Sequence, residues 1–361
     1  MMVDRTRVEE VLSRIVLPGT MRSVMQLNLL RKIEVKDHRM KVTLSNAALD
    51  PDLREVLTGQ IQDALRGTDE IEAVAVDFEE AQPKDLNQVG KVVAVMSGKG
   101  GVGKSLVTSL IAVAMAREGK SVGILDADIT GPSIPKMFGV HGRPAGSESG
   151  LLPVSSQTGI QIMSINLLLP SEDEAVIWRG PLLAKAIQQF WEDVLWGKLD
   201  LLIVDLPPGT GDVPLTVMQS LPLAGAIIVF SPQDLAAMVV RKAVKMAQQL
   251  KVPILGVVEN MSYFVVPETG KQINIFGQSR AGEMARAAGA PVLGRIPIDP
   301  ELARLSDLGQ IESYRSDVTA QLQRSFSEIL AAAKEGEPRN PCSVCQSWIG
   351  ECPSAKAKGA G

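Results

Sequence analysis

Five short runs, at residues 92–96, 122–125, 201–204, 226–230 and 254–258, are apolar or glycine at every position and rich in β-branched side chains. A strand with one face in water alternates in polarity. A strand that does not alternate needs cover on both faces. Longer stretches at 106–117, 182–196 and 235–250 separate these runs and carry helical residue types. This alternation predicts a mostly parallel sheet with helices packed on both sides. A doubly wound α/β domain is therefore expected over residues 91–334.

Residues 4–78 pattern differently. Val8, Val11, Leu12 and Ile15 recur at helical spacing, residues 33–35, 40–44 and 71–76 suit strands, and 52–65 suits a second helix. A small α+β domain is expected there. Residues 79–90 are polar, contain Pro83 and have no apolar period, which reads as a linker. The Gly/Ser/Pro-rich stretch 139–159 reads as a loop or hairpin excursion. The expected divisions are 1–80, a linker at 81–90, 91–334, and a flexible cysteine-containing tail at 335–361.

Of the 361 residues, 45% are hydrophobic and 22% charged, with a net charge of −4. That is an ordinary soluble balance, and it argues against non-specific binding to nucleic acid or anionic membrane, which needs a cationic surface. The N-terminus is charged from Asp4 onward and lacks a signal-peptide core, and the apolar stretch 223–230 is too short to span a bilayer. A cytoplasmic location is expected. The three cysteines, Cys342, Cys345 and Cys352, all lie in the tail, so they do not form a disulfide scaffold. His38 and His141 lie far apart in sequence and read as surface residues.

The string Gly98-Lys99-Gly100-Gly101-Val102-Gly103-Lys104-Ser105 sits between an apolar run and a helical stretch. The pattern of two glycines with four residues between them, followed by lysine and a hydroxyl residue, is that of a phosphate-binding loop. Its glycines let backbone N–H groups wrap a phosphate, and the following helix adds its positive dipole end. Lys104 would neutralise β- and γ-phosphate charge, and the Ser105 hydroxyl would ligate Mg²⁺. Hydrolysis also requires carboxylates for the metal and the attacking water. The run 201–204 ends in Asp205, and 122–125 ends in Asp126-Ala127-Asp128. Taken singly, each acid suits a helix N-cap equally well. Together with the loop they suit a metal-assisted NTPase.

Lys99, a second lysine just after the first glycine, gives the loop its resemblance to the deviant Walker A ATPases, the MinD/ParA, nitrogenase-reductase and Mrp group. Longer strings narrow it: Asp126-Ala127-Asp128-Ile129-Thr130-Gly131-Pro132-Ser133, Trp178-Arg179-Gly180-Pro181, Asp205-Leu206-Pro207-Pro208-Gly209-Thr210-Gly211-Asp212, Ser231-Pro232-Gln233-Asp234 and Val258-Glu259-Asn260-Met261-Ser262. Over residues 91–310 the chain resembles the Mrp family of iron–sulfur cluster carrier ATPases. Residues 4–78 resemble the small domain often fused ahead of them and tied to iron–sulfur assembly.

The resemblance implies ATP and Mg²⁺ as cofactors and a nucleotide-dependent homodimer in which Lys99 reaches the partner's nucleotide. It implies that Asp128 positions the attacking water and that Asp126 supports Mg²⁺ through its waters. Asp205 takes the role of the Walker B acid, and Gly209 lets a switch segment approach the γ-phosphate. Asn260, with the Gly294-Arg295-Ile296-Pro297 turn, would contact the base. The implied cargo is a [4Fe–4S] cluster delivered to apo-proteins with the help of assembly factors, with no nucleic acid and no membrane involved.

The chain departs from the family at one point. Cluster-carrying members have Cys-Pro-x-Cys shortly after Asn-Met-Ser, and Val266 and Thr269 stand in those positions here. Neither residue binds iron. The tail pair Cys342-Ser343-Val344-Cys345, with Cys352 as a further thiol, has a spacing open to a cluster, to zinc or to redox chemistry.

Two other functions fit the same loop. A MinD/ParA-like positioning ATPase would need a cationic surface or a basic amphipathic C-terminal helix. The stripe Val318, Leu322, Phe326, Ile329 and Leu330 reads instead as core packing, because acidic and polar residues surround it. A regulatory family member without cluster transfer is the other, supported by Val266 and Thr269.

Overall fold

The computed structural model describes residues 5–66, 71–128, 133–168 and 180–332, without the side chains of 180–184 and 234–239. Its main sheet has eight strands. In hydrogen-bonded order they are Val154–Ser155, Gln161–Ser164, Val122–Asp126, Lys198–Asp205, Gln88–Ser97, Leu223–Phe230, Ile254–Glu259 and Val292–Arg295. Val154–Ser155 joins antiparallel at one edge, and the Gln161–Ser164/Val122–Asp126, Val122–Asp126/Lys198–Asp205, Leu223–Phe230/Ile254–Glu259 and Ile254–Glu259/Val292–Arg295 pairings are parallel. The fold is a doubly wound, mostly parallel α/β sheet preceded by a small α+β domain, as the apolar runs predict.

The described residues form two compact units. One combines residues from 1–92, 108–205 and 301–314, and the other combines residues from 93–107, 206–300 and 315–361.

In the first unit, Leu30–Lys36, Arg39–Ser45 and Ala73–Glu79 form a three-stranded sheet. The last strand sits two to three residues later than the expected 71–76, which places Val74, Val76 and Phe78 together against the core. Asp50 caps the helix Pro51–Leu65 by accepting a hydrogen bond from Leu53 N at 2.8 Å, with Pro51 at its first turn. That helix buries Leu57, Ile61 and Leu65.

The segment read as a linker is ordered. Pro83–Leu86 makes one helical turn with Leu86 buried, and Asn87 donates to Val194 O at 2.9 Å and accepts from Gly197 N at 3.0 Å. Leu152 and Leu195 belong to the same core cluster as the small-domain apolar residues. At Gly197 φ is +59°, and an added Cβ would lie 2.5 Å from Gln26 O, so only glycine fits.

Arg22 is buried beside this contact and donates to Trp196 O at 2.5 Å, Lys198 O at 2.5 Å and Gln26 O at 2.9 Å. Burial pulls its guanidinium well below the usual arginine range, to about 10. The folded chain therefore holds this proton less tightly than the unfolded chain. The buried charge costs stability at neutral pH, and the cost is relieved only as pH rises through about 10. The three carbonyls offset that cost, and removing their donor would take from the buried Trp196 carbonyl its bond to Arg22 and leave a cavity. Arg22→Ala is expected to lower unfolding free energy at neutral pH by about 2–4 kcal/mol, measured by urea denaturation.

In the second unit, the helix Asp317–Ala332 buries Leu322, Phe326 and Ile329, with Val318 and Leu330 half-buried. Leu322 packs so close to Gly294 that an added Cβ there would lie 2.8 Å from its Cδ2. The stripe is core, as its sequence reads. Among the described residues, no helix is long and apolar enough to cross a membrane.

Candidate functional site

The phosphate loop follows the strand Gln88–Ser97 and runs into the helix Lys104–Arg117. Gly101 and Gly103 both have φ of +78°, the left-handed turns that wrap main-chain N–H groups inward. Ser97 Oγ donates to Lys99 O at 3.0 Å. Asn260 is buried, and its Nδ2 donates to Val102 O at 2.9 Å. A Cβ on Gly103 would lie 2.1 Å from that same Nδ2. The asparagine expected to contact the base braces the loop here, a link the sequence does not signal. The arrangement fits a nucleotide's phosphates: glycine turns, a helix N-terminus, and the buried ammonium of Lys104.

Two predicted groups are already engaged within this unit. Lys99 Nζ donates to Gln233 Oε1 at 2.5 Å, so the lysine expected to reach a partner is engaged within its own chain. Gly209, at φ +92°, donates its N–H to Ser97 O at 2.9 Å. Presenting that N–H to a γ-phosphate requires exchanging this bond.

The predicted acids gather in the other unit. Asp205 and Asp126 are register partners on adjacent parallel strands, and Ser164 is the register partner of Asp126 on the next strand. All three stand at the carboxyl ends of their strands, where ligands bind in open α/β sheets. Both acids are buried. Thr108 Oγ1 donates to Asp205 Oδ1 at 2.7 Å, and Ser164 Oγ donates to Asp126 Oδ2 at 3.0 Å. Asp126 Oδ1 accepts from Asp128 N at 3.1 Å, which fixes Asp128 at the mouth of the strand. Two buried carboxylates side by side repel unless a cation accompanies them, and an all-oxygen set suits a hard divalent ion such as Mg²⁺. Thr108 and Ser164 were not identified from the sequence. The available signal was Thr108, three residues after Ser105 and so on the same helical face.

The departure from Cys-Pro-x-Cys falls on a hairpin. Phe264–Val265 pairs antiparallel with Gln272–Ile273, and Val266 O accepts from Gly270 N at 2.8 Å across the turn. Thr269 is exposed at the tip and Val266 half-buried. Among the described residues, no three His, Cys, Asp or Glu side chains cluster to hold a metal. Cys342, Cys345, Cys352, Ile129 to Pro132, Trp178 and Arg179 lie outside the described residues. His38 and His141 are exposed, as expected.

Comparison with known proteins bears on the same residues. The family described as NUBPL iron-transfer P-loop NTPase matches residues 88–333, and the one described as iron-sulfur cluster assembly protein matches residues 5–78. The iron-sulfur cluster carrier protein of Aquifex aeolicus is 38% identical over 336 residues, covering 84% of this chain and 92% of that protein. That of Methanocaldococcus jannaschii is 47% identical over 228 residues, covering 63% and 79%. The solved structure of a nucleotide-binding protein in complex with ADP from Archaeoglobus fulgidus is 52% identical and covers 63% of this chain and 90% of its own, with a TM-score of 0.58. The phosphate loop, the paired strand-end acids and a match across most of the length agree: the chain belongs to the NUBPL iron-transfer P-loop NTPase family.

Proposed function

We propose that the chain is an ATP-hydrolysing carrier that binds iron–sulfur clusters and transfers them to apo-proteins, working as a nucleotide-dependent homodimer in the cytoplasm. The observation that carries the ATPase part is the in-register pair Asp126 and Asp205, buried with hydroxyl partners, in a chain that also bears the complete phosphate loop. The carrier part rests on relatives named iron-sulfur cluster carrier proteins, matched over up to 92% of their own length.

In this reading the backbone of Gly98, Gly100, Gly101, Val102 and Gly103 cradles the β-phosphate, and Lys104 neutralises charge toward the γ-phosphate. Ser105, Asp205 and Asp126 hold Mg²⁺, partly through water. An ion held there would supply positive charge against the charge developing on the phosphate oxygens. Asp128 orients the attacking water. Lys99 leaves Gln233 for the partner's nucleotide. Gly209 senses the γ-phosphate by exchanging its bond to Ser97. Residues 1–80 serve as an assembly-type domain, and assembly factors and apo-proteins are the partners.

The [4Fe–4S] cargo cannot be held at Val266 and Thr269, so its thiolates must come from Cys342, Cys345 and Cys352, pooled from two chains. Anaerobic reconstitution of the full chain with iron and sulfide, followed by visible absorbance and iron analysis, tests this. Wild type is expected to take up iron, and Cys342→Ala plus Cys345→Ala to lose it. If wild type hydrolyses ATP yet takes up no iron, the carrier reading is wrong, and a regulatory ATPase, favoured by Val266 and Thr269, replaces it.

A further inference from the structure

The strand Ile254–Glu259 is apolar until its last residue, and Glu259 is 0% exposed. Its carboxylate accepts from Ser279 Oγ at 2.7 Å, Arg280 N at 2.7 Å, Arg295 Nε at 3.3 Å and the Ser262 hydroxyl. Arg295 Nε also donates to Ser262 Oγ at 2.9 Å, and its guanidinium lies 5.5 Å from the centroid of the Tyr263 ring. The main chain closes the same knot: Ile296 N donates to Glu259 O at 2.8 Å and Ser262 N to Ile296 O at 2.9 Å. One carboxylate thus gathers the turn at 260–263, the approach to the helix Ala281–Ala288 and the end of the strand Val292–Arg295. Burying a carboxylate costs several kcal/mol unless it is fully bonded. An apolar residue, as at 254–258, would satisfy packing alone.

The next residue is Asn260. Its N–H donates to Phe230 O at 2.8 Å, and its side chain holds Val102 O of the phosphate loop. The same residue fixes the middle of the other expected base-contacting turn, Arg295 through its carboxylate and Ile296 through its main-chain oxygen. We propose that Glu259 is a positioning residue that sets Asn260 and the Gly294–Pro297 turn for adenine, an inference that rests on the ATP reading above. A carboxylate is required by count. It offers about four lone-pair sites, and four donors converge here, whereas a glutamine offers one accepting oxygen and turns an N–H group toward Arg280 N or Arg295 Nε, which are donors only.

The test is steady-state ATP hydrolysis by the full chain with KM and kcat resolved, and with the thermal midpoint measured on the same samples. Glu259→Gln is expected to raise KM for ATP about 3- to 10-fold, the effect of about one lost hydrogen bond to the base. Its kcat is expected to fall by less than KM rises, because Asn260 reaches the phosphate loop only through its bond to Val102 O. Glu259→Asp keeps the charge and should recover part of the loss. Because Glu259 acts through Asn260, Glu259→Gln combined with Asn260→Ala should raise KM by less than the product of the two single effects. If Glu259→Gln does not fold, Ser279→Ala and Arg295→Lys carry the test, with smaller KM increases expected. An unchanged KM in a folded variant, or single effects that multiply independently, would overturn the inference. A wild type that neither binds nor hydrolyses ATP would instead overturn the nucleotide reading.

Discussion

Asp205→Asn is expected to lower ATP turnover by about 10²–10³-fold while leaving the fold intact, the scale of losing one preorganised electrostatic partner of the transition state. The substitution is nearly isosteric, and its amide oxygen still accepts the Thr108 hydroxyl that lies 2.7 Å from Oδ1. What it removes is one of two buried charges facing each other in register at Asp126 and Asp205. The thermal midpoint without Mg²⁺ should stay close to that of wild type, because the side chain keeps its shape and its bond from Thr108. Phosphate release at saturating Mg-ATP and thermal unfolding in chelator measure the two halves. Turnover within about tenfold of wild type would remove Asp205 from the metal site.

Gly103→Ala is expected to weaken ATP binding by about 10²-fold or more, through two additive insults. At φ +78° an L-residue adopts a conformation that costs about 1–2 kcal/mol. The new Cβ would also sit 2.1 Å from Asn260 Nδ2, so the amide must leave Val102 O, and the loop loses its brace. Isothermal titration with a non-hydrolysable ATP analogue reads the loss. A dissociation constant within about threefold of wild type would mean that the loop relaxes around the methyl group and that the brace is dispensable.

How much of this was legible beforehand depended on whether a feature is local. Strands covered on both faces must be apolar throughout, so 92–96, 122–125, 201–204, 226–230 and 254–258 were readable without any partner in view. Three strands of the same sheet were missed, of which the two-residue Val154–Ser155 lies in the stretch read as a loop or hairpin. Gln161–Ser164 is buried along its length yet carries Gln161 and Ser164, whose polarity is satisfied by Gly159 O, Ser155 and Asp126. Val292–Arg295 is a short edge strand whose Gly294 and Arg295 read as a turn. The polar segment 79–90 gave no hint of its helical turn, because Pro83 and Leu86 find their cover in another part of the chain.

The sequence by itself determined the α/β class, the phosphate loop and the acids closing two of the strands, because each is a matter of residue type at fixed spacing along one element. Only the tertiary structure decided that Asp126 faces Asp205 and that Thr108 and Ser164 supply their hydroxyls. It also decided that Lys99 rests on Gln233 and that Asn260 props the loop at Val102. Those pairings join residues tens to more than a hundred positions apart. Register and side-chain reach are set by how strands and helices pack, and the spacing of residues along the chain does not encode that.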